Sequence, residues 1–247
     1  MENSKKIAGM GELAYVLGVV LCALGVCFSA KSGFGVSMVV APAYVLHCKL
    51  EPILPFFSFG VAEYVLQGGL ILLLCPVIGR FKKKFLLSFG TAVFYGVVLD
   101  LWRETFGTEI PGELWQRIFY CGLGACVTAF AIALLLRTYL PQQGYELVVK
   151  ELSDRYGWAM GRVKWIYDMT SLAVAVLLML LLFWEFSLSM IGIGTLLLTL
   201  INTPLITGFG RLLDRFFDFT PFFPRFHSFF EKLCSSEFYK RITYVIH

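Results

Sequence analysis

The chain has 247 residues, 58% of them hydrophobic and 15% charged, with a mean hydropathy of +0.75. One water-soluble core cannot enclose that much apolar surface, so an ordinary soluble domain is excluded and an integral membrane protein is expected. The net charge of +4 is small and dispersed, and no nucleic-acid partner is expected from it.

The N-terminal stretch "MENSKKIAGMGELAYVL" places Lys5 and Lys6 before an apolar run. The run, Leu13 to Ala30, is too long for a signal-peptide core and has no clear small-x-small cleavage site, which predicts a retained first span. It leads into "SAKSGFGVSMVVAPAYVL", where Lys31, Ser32, Gly33, Gly35 and Ser37 precede a second apolar segment, Val36 to His47. That segment is about a dozen residues long and contains Pro42, too short for the ~20 residues a span needs, so a re-entrant or half-helix is expected.

Five further runs are long enough to cross: Phe56 to Ile78, Phe85 to Trp102, Ile118 to Leu136, Trp165 to Trp184 and Phe186 to Leu205. Between the fourth and fifth, "PQQGYELVVKELSDRYGW" is amphipathic. Tyr145, Val148, Val149, Leu152 and Tyr156 share one helical face, and Glu146 with Lys150 and Glu151 with Arg155 form i,i+4 pairs on the other. A helix lying along the membrane surface or covering the bundle is expected. After residue 210 a tail rich in phenylalanine and basic residues, 211–247, is expected at the lipid headgroups.

Charge counting supports six spans over seven. With six spans and both termini cytoplasmic, seventeen Lys and Arg fall on the inner side, and only Lys31, Lys49, Arg103 and Arg117 on the outer. If Val36 to His47 crossed fully, Arg80, Lys82, Lys83 and Lys84 would change sides and the bias would vanish. A multipass protein of the inner or plasma membrane is expected.

The two halves of the chain resemble each other. Gly60, Gln67 and the pair Gly90–Thr91 parallel Gly161, Asp168 and Gly194–Thr195, and each half begins with one long run and one short segment. The expected architecture is all-α, a single transmembrane domain over residues 1–210, with units of about 10–105 and 115–210 and three spans each. Three is odd, so the second unit would enter inverted, and a ligand site would lie at the interface of the two units.

Polar groups inside spans cost roughly 2.5 to 3.5 kcal/mol when charged, which makes them functional candidates. Glu63 and Gln67 lie four residues apart on one face. Glu63 suits a substrate amine or a proton, or a structural pair with Lys31. Asp168 stands one turn from Lys164 and suits either a ligand role or a local ion pair. Lys31, with Ser32 and Ser37 at the start of a short helix, suits an anionic group, although a lysine reaching for headgroups is equally ordinary. Asp100 is expected to be solvated at the outer mouth, and the two Gly-Thr pairs to be close helix contacts.

Seven scattered cysteines without a CxxC pair and three distant histidines offer neither metal nor nucleophile chemistry, so no cofactor and no enzyme activity are expected. The segments "KSGFGVS", "SFGVAEYVLQGG", "FGT" and "IGIGTLLLTLINTPLI" together resemble the YczE/YyaS/YitT-like group of bacterial multipass membrane proteins over residues 10–210. The chain departs from that group where a Gly-Pro commonly follows the last motif, having Thr203 before Pro204. The resemblance implies a bacterial membrane protein with a suspected transport role and carries over no binding residues.

The expected function is a transporter or solute-binding membrane protein for a small polar or anionic solute, with Lys31, Ser32, Ser37, Glu63, Gln67 and Asp168 at its site. A non-transporting scaffold or assembly partner is the alternative. Lipids and a solute are the expected partners, with a homo-oligomer open.

Overall fold

The computed structural model describes residues 10–79, 83–184, 187, 189–217 and 219–220. Among them are eight helices: α1 (Gly11–Ser32), α2 (Ala41–Leu50), α3 (Phe59–Ile78), α4 (Lys83–Phe106), α5 (Leu114–Leu135), α6 (Gly144–Tyr156), α7 (Met160–Phe183) and α8 (Ile193–Phe216). Six of them, α1, α3, α4, α5, α7 and α8, are long and apolar enough to cross a membrane, with mean hydropathies from 1.4 to 2.3. The protein is a multipass membrane protein, with six such helices and two short ones among the described residues.

Local chemistry sets the ends of these helices. Ser58 caps α3, its hydroxyl accepting from the Val61 N–H at 3.1 Å. Pro42 sits in the first turn of α2, where its missing N–H has no helical partner to lose. α1 ends on Gly33, with φ of +63°, and Gly35 follows with φ of +99°. This left-handed turn carries the chain against α8, where the Gly194 N–H donates to the Phe34 carbonyl at 3.0 Å.

Ionic and polar contacts mark two ends of the bundle. At the basic end Lys84 pairs with Glu151, Arg137 makes a bidentate pair with Asp214 at 2.6 Å, and Arg155 donates to the Ile78 carbonyl. At the far end Arg117 donates to the Ser32 and Gly33 carbonyls, Arg103 touches His47, and Asp100 meets Ser58. α1 lies in the middle, packed along α5, and its buried Val19, Ala23 and Val26 share a core with Ala41, Phe59, Tyr95, Ala131 and Met179.

Both short helices start inside the bundle. α2 packs between α3 and α7 and exits at the far end, where His47 meets the Phe57 carbonyl and Lys49 lies over the Phe183 ring. α6 packs against α3, α4 and α7. The first N–H of α6, Gly144, bonds Gln67, while Arg155 near its end reaches Ile78, so α6 follows about 16 Å of α3 at 1.5 Å per residue.

Of the two expectations for the helix over 144–156, lying along the membrane surface is set aside, and the helix packs against the bundle, at α3, α4 and α7. Its apolar face is buried as expected at Tyr145, Val148 and Val149, but Glu151 on the supposed solvent face is buried too and pairs with Lys84. The short helix expected at Val36 to His47 starts later, at Ala41. The last span, expected at Phe186 to Leu205, is also shifted. Trp184 closes α7 in a left-handed turn, a bend at Ser187 to Met190 follows, and α8 runs on through Pro204 to Phe216. The expected boundary at residue 210 thus falls within α8. Residues 1–9, which carry Lys5 and Lys6, and residues 221–247, which hold most of the aromatic tail, lie outside the described residues.

Candidate functional site

Glu63, four residues into α3, is fully buried. Its Oε2 accepts from the Tyr145 hydroxyl at 2.9 Å and from Gln67 Nε2 at 3.2 Å, and the Gln67 Oε1 accepts from the Gly144 N–H at 2.9 Å. The helical spacing of Glu63 and Gln67 thus places both on the face that receives the N-terminus of α6. The free N–H groups and dipole of that terminus favour negative charge.

The cluster is incompletely satisfied. Glu63 Oε1, Gln143 Nε2, Glu146 Oε2 and Ser88 Oγ are buried and have no hydrogen-bond partner among the described residues. Cys22 of α1 lies against Gln143 and within the field of Glu63 and Glu146, and Tyr95 of α4 lies within the field of both carboxyls. Burial holds the Glu146 carboxyl above the ordinary range, against the opposing pull of Lys164.

The other sequence-predicted residues are spread through the bundle. Lys31 is at the far end, donating to the Phe106 carbonyl with its ammonium 5.3 Å from the centre of the Tyr120 ring. It lines a cavity of about 500 Å³ with Glu109, Trp115 and Gln116. Ser32 completes the end of α1, its hydroxyl donating to the Ser29 carbonyl at 2.7 Å and accepting from the Phe34 N–H. Ser37 lines a second cavity of about 10 Å³ with Ser29, Thr128 and Asn202, room for one water molecule. Asp168 lies on α7 beside Lys164, at 3.3 Å.

Only Glu63 and Gln67 of the six are brought into contact. Asp100 is also not simply solvated: its carboxylate accepts from the Ser58 hydroxyl at 2.5 Å and the Gly60 N–H at 2.8 Å, holding the start of α3. The Gly-Thr pairs were expected to be close helix contacts, but a side chain on Gly90 would meet nothing within 4 Å, and Gly194 meets the turn at Phe34 rather than a helix. Thr91 bonds the Tyr15 hydroxyl and the Pro141 carbonyl, just ahead of α6, while Gly194 bonds Phe34, ahead of α2.

Gln143 is not singled out by the sequence, and Tyr145 and Glu146 read there only as parts of an amphipathic helix, not as site residues. The signal that could have found them is the resemblance between halves, which aligns the segment before α6 with "KSGFGVS" and so predicts a second helix entering the bundle.

Among known proteins, the Uncharacterized protein YyaS of Bacillus subtilis strain 168 is 26% identical over 212 residues, covering 84% of this chain and 96% of the relative. This agrees with the group indicated by the glycine-containing segments. No solved structure matches the chain. The model of a family described only as of unknown function matches residues 10–211, which span α1, both short helices, the Glu63 cluster and most of α8. The chain belongs to that family of unknown function, DUF6198.

Proposed function

We propose that the protein binds a small polar solute at the centre of the bundle and carries it across the membrane, with Glu63 as the central group. The observation that carries this is the fully buried Glu63, with no ion pair among the described residues and one carboxyl oxygen left without a donor. A carboxyl in such a place costs several kcal/mol, and a purely structural group would have both oxygens met. A central carboxyl opposes a like charge, so a neutral or cationic solute is favoured over an anionic one. Lys31, far from the cluster, serves the outer vestibule rather than the site.

The proposed frame is a pair of inverted units with cytoplasmic termini in the plasma membrane. Exchanging the units exchanges some of the contacts: α1 with α4 matches α5 with α8, α2 with α3 matches α6 with α7, and α2 with α7 matches α6 with α3, whereas α3 with α4 and α4 with α6 have no counterpart. Gly60 and Gln67 hold the second and ninth positions of α3, as Gly161 and Asp168 do in α7. In this reading α2 and α6 are re-entrant half-helices whose N-termini face the centre, a construction found in secondary transporters. The role is binding rather than catalysis, and a homo-oligomer is compatible with it.

The scaffold reading is favoured by one observation: Glu63 and Gln67 are sealed from solvent and tie α6 to α3. A thermal-shift screen of amines, zwitterions and polyols on the purified protein separates the two. A transporter gives at least one solute that raises the Tm of the native chain and leaves Glu63→Gln unmoved. A screen in which no solute acts, or in which Glu63→Gln responds equally, establishes the scaffold.

A further inference from the structure

His47 is buried in the last turn of α2, and both of its ring nitrogens have partners. Nδ1 lies 3.2 Å from the Phe57 carbonyl, and Nε2 lies 2.5 Å from Arg103 Nη1. A guanidinium only donates and a carbonyl only accepts, so these partners fix the neutral ring in one form, with the proton on Nδ1 and the lone pair on Nε2. The ring stacks on Phe59 at 5.5 Å with 21° between planes, and the Arg103 guanidinium lies 5.4 Å from the centre of the same phenyl ring. Neutral His47 therefore joins the end of α2 to α4 and to the chain just before α3.

The same Nε2 has a second neighbour. Glu51 Oε2, one turn on, is 3.3 Å away, and the Glu51 side chain is 49% exposed while that of His47 is 1% exposed. A carboxylate only accepts, so it gains nothing from a lone pair on Nε2 and becomes a partner when that nitrogen carries a proton. Arg103 and Glu51 thus compete for one nitrogen, and its protonation decides between them.

We propose that His47 is a proton-operated latch at the far end of the bundle: neutral, it accepts from Arg103 and ties α2 to α4; protonated, it gives up Arg103, donates to Glu51 and frees the end of α2. One proton from water is added to Nε2, the hydrogen bond from Arg103 breaks, and one from Nε2–H to Glu51 Oε2 forms. The Nδ1–H bond to Phe57 is kept. The ionisable groups around the ring are Tyr44, Cys48 and Glu51 on α2, and Asp100 and Arg103 on α4. Asp100 is engaged with Ser58 and Gly60. On α3, Glu63 and Tyr64 begin one turn beyond Phe59, and on α7 Arg162, Lys164, Tyr167 and Asp168 fall in the first three turns, whereas it is Phe183 at its other end that meets Lys49 of α2. Burial and then Arg103 oppose the proton while Glu51 favours it, so the latch is shut at neutral pH and opens in acid, below the ordinary histidine value of about 6.5. α2 remains packed on α3 and α7, so the release is confined to its last turn and the link to α3. None of this depends on Glu63 as a solute site.

Nitrogen-15 NMR of the full chain in lipid nanodiscs, labelled at its three histidines, tests this. The signal that remains when His227 and His247 are both replaced by Gln is that of His47. On the alkaline side it should show the Nδ1–H form. Its titration midpoint should rise by about one pH unit, tenfold in proton affinity, in Arg103→Gln, where a neighbouring cation is lost. It should fall, by less, in Glu51→Gln, whose half-exposed side chain makes it the safer variant for folding. Amide hydrogen exchange at residues 47–51, corrected for its intrinsic pH dependence, should quicken as the proton enters and should follow the lowered midpoint in Glu51→Gln. An Nε2–H form in alkali, a midpoint that does not fall in Glu51→Gln, or exchange that passes through the titration unchanged overturns the latch. The solute site stands or falls separately on the thermal-shift screen.

Discussion

Residues 11–106 and 114–216 each supply a long helix, a short one and two more long ones, yet they pack differently. α3 lies along α4 in the first half, whereas α7 makes no contact with α8 among the described residues, and α8 packs along α5 and, at its start, against the turn at Phe34. A side chain on Gly60 would come within 2.0 Å of the Gly96 carbonyl of α4, while one on Gly161 would meet nothing within 4 Å. Asp100 caps the start of α3 from α4, but α7 starts at Ala159 without a side-chain cap. The first half is thus closed by direct helix contact. In the second, α7 is held through the two short helices, α2 and α6, rather than against its neighbour in sequence, α8.

The sharpest way to break this contrast is through the ion pairs. Lys84→Met removes the ammonium paired with the buried Glu151 and should cost about 3–5 kcal/mol, whereas Lys164→Met on the open side should cost about 0–1 kcal/mol because that lysine is half exposed. Urea or thermal unfolding of both variants in the same detergent checks the difference, and equal losses would remove the distinction between closed and open halves.

Glycine substitution is the next most sensitive probe. Gly60→Ala should destabilise by about 1–3 kcal/mol through forced separation of α3 and α4. Gly161→Ala should be neutral, or stabilise by up to about 1 kcal/mol through helix propensity. The readout is the melting temperature of each variant, and a loss in Gly161→Ala matching that in Gly60→Ala would mean that α7 has a close neighbour after all.

Removing the cap sharpens the contrast further. Asp100→Asn should cost about 1–2 kcal/mol by weakening the hold on Ser58 and Gly60, and hydrogen exchange should locate the loosening at the start of α3.

The smallest effect is expected from pH, and its sign differs between the short helices. Burial, then the nearby Arg103, holds the His47 imidazole below its ordinary range, so its contribution is complete above the unfolded value and fades as pH falls. Burial holds the Glu146 carboxyl above its range, so its contribution is complete below the unfolded value and fades as pH rises. Melting curves across pH should therefore flatten on the acid side in His47→Gln and on the alkaline side in Glu146→Gln.

The number of long apolar helices was legible without coordinates, because hydropathy and charge bias are sums over neighbouring residues. So was the shared face of Glu63 and Gln67, which follows from a spacing of four. The route of α6 was not. An amphipathic helix has the same pattern whether its apolar face meets lipid headgroups or the inside of a bundle, and only long-range packing put Tyr145 on Glu63 and Glu151 on Lys84. Lys31, Asp100 and Asp168 teach the same lesson. The sequence shows each as a charge in or beside a span, and Asp100 reads there as simply solvated, but the choice among the Phe106 carbonyl, the cap of α3 and Lys164 depends on which helices cross where. That is decided by close approaches such as Gly60 on Gly96, which no local pattern records.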